Sequence, residues 1–66
     1  MKFEQDVLGM IGKYLANGDK AYFQYNTLWI QSGEDVARKI WHFLYDAFDG
    51  DVCISKTGDE YAIDFI

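Results

Sequence analysis

KAYFQYNTLWIQ, residues Lys20–Gln31, is the stretch on which the fold turns. Ala21, Phe23 and Tyr25 alternate with Tyr22, Gln24 and Asn26, and Leu28 and Ile30 alternate with Trp29 and Gln31. A period of two, enriched in aromatic and β-branched residues, is strand patterning. Asn26-Thr27 between the two runs predicts a two-residue hairpin turn, though with weaker chemistry than Asn-Gly. The competing reading is one bent strand.

On the N-terminal side, Phe3, Val7, Leu8, Ile11, Tyr14 and Leu15 recur at steps of three and four, which predicts a helix over residues 2–16. Asn17-Gly18 supplies its stop. Gly9 and Gly12 each cost such a helix about 1 kcal/mol relative to Ala, so a close backbone approach is expected to compensate for them. On the C-terminal side, Ser32 is placed to cap a second helix over residues 33–48, with Asp35 at the capping-box position. Val36, Ala37, Ile40, Trp41, Leu44 and Phe48 make its apolar face, and Asp49-Gly50 ends it. Trp41 and Phe48 are expected to be buried against a sheet. Val52 and Ile54 then alternate, Lys56-Thr57-Gly58-Asp59 reads as a turn, and Tyr61, Ile63 and Phe65 alternate on the return.

The order αββαββ predicts an α+β fold, a two-layer sandwich in which two helices pack on one face of a mostly antiparallel four-stranded sheet. Residues 1–66 read as a single domain of two αββ halves, about 1–32 and 33–66. Asn17-Gly18-Asp19 and Asp49-Gly50-Asp51 lie 32 residues apart. At that offset the helix core positions do not align, and turn chemistry alone accounts for the likeness. Strand parity assigns Phe23, Tyr25, Leu28, Ile30, Val52, Ile54, Tyr61, Ile63 and Phe65 to the covered face. Two helices cannot cover the other face, which carries Tyr22, Gln24, Trp29, Gln31, Cys53, Ser55, Glu60, Ala62 and Asp64.

The chain has 66 residues, half of them apolar and 18% aromatic, which excludes a disordered polypeptide. A chain this short buries only about 60% of its extended surface, so aromatic packing or oligomerisation must help it. Eleven acidic residues against six basic give a formal charge of −5. That argues against direct nucleic-acid binding, which needs clustered cations, and against an anionic membrane surface. No apolar run approaches the roughly 20 residues of a membrane span, and no secretory signal pattern is seen. The single Cys53 excludes an intrachain disulfide and a multi-Cys zinc site, which fits a reducing, cytoplasmic setting. Residues 1–45 are net neutral, whereas residues 46–66 hold Asp46, Asp49, Asp51, Asp59, Glu60 and Asp64 against Lys56 alone.

Catalytic and metal signals are thin. His42 is the only histidine, and no motif pairs it with Cys53. A reactive thiol needs electropositive surroundings that this acidic segment does not offer. Asp46, Asp49 and Asp51 lack the spacing and the distal Glu of a calcium loop. The expectation is therefore no enzyme, no cofactor, no catalytic residue and no metal ligand.

Tyr and Trp are enriched at interface hot spots. Tyr22, Gln24, Trp29, Gln31, Asp51, Glu60 and Asp64 are accordingly the expected partner-binding residues. The competing readings are a cross-strand Tyr–Trp pair that steadies an exposed sheet, and an acidic face that serves only solubility. The whole-chain profile of one short, acidic, aromatic-rich domain without a catalytic motif resembles the small accessory or inhibitor proteins of bacteriophages, including anti-CRISPR and DNA-mimic types. No motif carries that resemblance. It implies a larger protein with a basic surface as partner. The alternative is a structural or regulatory subunit that forms a homodimer through its open sheet face.

Overall fold

A computed structural model describes residues 2–66. The elements run α1 (Lys2–Ile11), a 3-10 turn (Gly12–Tyr14), β1 (Lys20–Gln24), β2 (Thr27–Gln31), α2 (Glu34–Ala47), β3 (Val52–Thr57) and β4 (Glu60–Phe65). The fold is α+β, with two helices and a four-stranded antiparallel sheet of strand order β1-β2-β4-β3. Both hairpins predicted from the alternation are present.

The core lies between the sheet and the helices. Val7 and Ile11 of α1 and Ala37, Ile40 and Leu44 of α2 are buried together with Leu28, Ile30, Val52, Tyr61 and Ile63 of the sheet. Trp41 and Phe48 pack against this cluster but are only half-buried, because they sit at the flank of the α2 stripe rather than on its midline. The Trp41 indole N–H still donates to the Val52 carbonyl at 3.2 Å, which ties α2 to β3. Phe3, Phe23, Phe48 and Phe65 form a ring cluster at one end of the molecule, edge-to-face except for the stacked Phe23–Phe65 pair, with centroids 5.3–6.3 Å apart between the contacting pairs.

Several local expectations are corrected. The α-helical part of the first helix ends at Ile11 rather than at residue 16. Gly12 removes helix propensity there, the chain tightens to a 3-10 turn, and Leu15 is already extended (φ −77°, ψ 133°). Nothing approaches within 4 Å of a Cβ placed on Gly9 or Gly12, so no close backbone contact compensates for these glycines within the protomer. The N-cap of α2 is Gly33, with no side-chain cap. Ser32 Oγ donates instead to the Gly33 carbonyl, and its place before Gly33 rather than at the cap leaves the first amides of α2 out of its reach. At the other end, Asp49 takes a left-handed φ of 53° and the Gly50 N–H donates to the Tyr45 carbonyl at 2.8 Å, a Schellman closure.

Both hairpin turns also differ from expectation. The first turn is Tyr25-Asn26, not Asn26-Thr27, since Gln24 pairs directly with Thr27. Both residues have positive φ (55° and 64°), as a type I′ turn requires. Tyr25 is therefore not on the covered face; it is 91% exposed. The second turn is Gly58-Asp59 alone, and Lys56 and Thr57 belong to β3.

The strand register shows a repeat that the turn spacing hid. Lys20↔Gln31 recurs as Cys53↔Asp64, and Gln24↔Thr27 as Thr57↔Glu60, each 33 residues later. At the same offset, Val7 matches Ile40 and Ile11 matches Leu44, all fully buried. The offset of 32 between the glycine junctions is one residue short, because Gly18 stands two residues before Lys20 whereas Gly50 stands three before the equivalent Cys53.

Candidate binding face

The strand pairings arrange the uncovered face of the sheet as three rows. Gln24, Thr27, Asp64 and Cys53 form the first, Tyr22, Trp29, Ala62 and Ser55 the second, and Lys20, Gln31, Glu60 and Thr57 the third. Strand alternation alone dictates these rows, because residues opposed across an antiparallel ladder share a face. Six of the expected partner-binding residues therefore lie together: Tyr22, Gln24, Trp29, Gln31, Glu60 and Asp64. Asp51 does not join them in the sheet. It precedes β3 and meets the end of the chain through its carbonyl, which accepts the Ile66 N–H at 3.0 Å.

Hydrogen bonds fix the two carboxylates of this face. Tyr22 Oη donates to Glu60 Oε1 at 2.8 Å, and Gln31 Nε2 donates to the same oxygen at 3.2 Å. Thr27 Oγ1 donates to Asp64 Oδ1 at 2.6 Å. Each carboxylate offers about four lone-pair sites, so both keep acceptor capacity toward solvent or a partner. The bond to Glu60, then partial desolvation, then the carboxylate charge hold the Tyr22 hydroxyl above its ordinary pKa of 10.0. Trp29 stands half-buried at the centre of the face, between Tyr22 and Ala62 in the register.

Sequence reasoning missed Lys20, Thr27 and Thr57 on this face. Thr27 was lost to the misplaced turn, although one further step of the alternation from Trp29 reaches it. Lys20 puts a cation in the Gln31–Glu60 row, so the face is mixed in sign rather than wholly acidic.

Elsewhere, a shallow cleft of about 210 Å³ opens at the β3 edge, lined by Glu34, Arg38, Ile54, Ser55, Lys56 and Tyr61. Arg38 Nε donates to Glu34 Oε2 at 2.8 Å, and both side chains are well exposed, so the pair is worth about 0.5 kcal/mol or less. His42 is exposed on α2 with its ring against Trp41, whereas Cys53 is exposed on the open face of the sheet. The helix layer and the sheet thus keep the two apart. Among the described residues, no group of three or more His, Cys, Asp or Glu side chains is arranged to hold a metal ion. Among the same residues, no helix is long and apolar enough to cross a membrane. No protein-family model, curated protein or solved structure matches the chain.

Proposed function

We propose that the protein is a small, non-enzymatic binding module that occupies a basic site on a larger protein, acting as an inhibitor or nucleic-acid-mimicking decoy. The observation that supports this most is the open sheet face, where Tyr22 and Trp29 stand beside two carboxylates held in place by hydrogen bonds. A decoy for nucleic acid needs negative charge at fixed positions, with flat side chains between the charges for a partner to bury. Held carboxylates lose less conformational freedom on binding than mobile ones. Charge complementarity then raises the encounter rate and selects the partner, while burial of the aromatic rings supplies affinity.

Capture from the source cell's lysate tests this. The double variant Glu60→Lys/Asp64→Lys should retain its fold and lose the captured partner, and capture by the parent should weaken steeply between about 50 and about 500 mM salt. An unchanged partner in the double variant would leave the acidic face as a solvated surface only. Self-association that holds or tightens with salt would instead favour the subunit reading, in which Tyr22 and Trp29 pair with a second copy.

A further inference from the structure

A second surface lies at the end of the molecule where the phenylalanine rings gather. The β1–β2 turn, the end of β4, the start of β3, the C-terminus of α2 and the N-terminus of α1 all meet there. Large apolar side chains remain uncovered at this pole. Phe3 is 42% exposed although its ring touches three other phenylalanines, Tyr25 is 91% exposed, and Ile66 is 82% exposed. Single exposed apolar residues are ordinary; three at one end of the molecule, one of them resting on the ring cluster, point to an interaction site. Tyr25 adds a further sign. It holds a left-handed φ of 55° in a turn position that favours Asn, Asp or Gly, so its side chain is displayed at the expense of backbone preference.

The charge at this pole states what can cover it. The segments that meet there, residues 2–6, 46–51 and 64–66, hold six acidic residues and one basic residue, which equals the formal charge of the whole chain, −5. Asp46, Asp49 and Asp51 crowd the C-terminal end of α2, whose last turn has no basic residue. The negative end of a helix dipole disfavours carboxylates there, so a cation arriving from outside relieves that repulsion. A second copy of this chain would bring like charge against like, and so would an anionic membrane or a nucleic acid.

We infer that this pole is a docking surface for a cationic protein segment that carries large apolar side chains, which Phe3, Tyr25 and Ile66 receive while Asp46, Asp49 and Asp51 pair with its lysines or arginines. The inference shares with the proposed function the sign of the partner's charge and the carboxylate of Asp64, and uses none of the sheet-face aromatics.

The test titrates isotope-labelled full-length protein with two synthetic peptides of equal charge, one alternating lysine and leucine, the other lysine with glycine. The lysine–leucine peptide should shift the resonances of Phe3, Tyr25 and Ile66, leave Trp29 unmoved, and bind about tenfold or more tighter than the lysine–glycine peptide. Tyr25→Asn should weaken that binding about tenfold while raising the melting temperature by a few degrees, since Asn enters the left-handed region more readily. Equal affinity for the two peptides, no binding of either, or unchanged binding by Tyr25→Asn would overturn the inference. Shifts centred on Tyr22 and Trp29 would also overturn it while supporting the sheet face. Glu60→Lys alone, at a residue outside the pole's segments, tests the sheet-face reading without altering the charge of the pole.

Discussion

In the first αββ half, α1 keeps α-helical geometry for 10 residues and then tightens at Gly12; in the second, α2 runs for 14 residues and closes with a left-handed Asp49. The first half turns its hairpin on Tyr25-Asn26, the second on Gly58-Asp59. Yet the strand register and the buried helix positions of the two halves coincide at an offset of 33 residues. An isolated helix shorter than about 12–15 residues is marginal in water, and two glycines weaken α1 further. The first half is therefore held by what its side chains bury, while the second is also favoured locally. Equivalent architecture does not require equivalent local propensity, provided the buried positions match.

The most disruptive way to probe this equivalence is in the shared core. Leu44→Ala should cost about 2–5 kcal/mol, against a total stability of roughly 3–10 kcal/mol for a chain of this size, and its counterpart Ile11→Ala should cost a comparable amount. Thermal and denaturant melts of the two variants measure both. A parent-like melt for Ile11→Ala beside an unfolded Leu44→Ala would show that the halves are not equivalent in energy.

A smaller change, of opposite sign, sharpens the contrast between the helices. Gly9 has open space where a Cβ would stand, so Gly9→Ala should stabilise α1 by about 0.5–1 kcal/mol. The melting temperature is the readout. A fall that depends on protein concentration would mean that a second copy packs against that glycine.

The smallest effect concerns the link between the halves, the Tyr22–Glu60 hydrogen bond from β1 to β4. Its folded-state pKa lies above the ordinary 10.0, so the contribution of Tyr22 is fully present below about pH 10 and is lost as pH rises through the raised value. Melting temperatures of Tyr22→Phe and of the parent should therefore converge at strongly alkaline pH, and a phenolate absorbance titration of the parent should show a component above pH 10 that Tyr22→Phe lacks. A constant gap between the two proteins across that range would remove this bond from the account.

The sequence by itself determined the element order, the two hairpins and most of the sheet's open face, because a period of two or of 3.6 needs only local spacing to be read. Tyr22, Trp29, Gln31, Glu60 and Asp64 fall on that face by parity alone. Three features needed the tertiary structure. The turn at Tyr25-Asn26 follows from the pairing of β1 with β2, in which Phe23 faces Leu28 and Ala21 faces Ile30. The one-residue displacement moves Tyr25 off the covered face and brings Thr27 to Asp64. The strand order β1-β2-β4-β3 brings residues 38 positions apart, Tyr22 and Glu60, into hydrogen-bonding contact. The acidic, apolar pole is assembled from segments at both ends and the middle of the chain. Local spacing carries no information about which segments converge in space; that is decided by which apolar surfaces bury one another, a property of the folded chain as a whole.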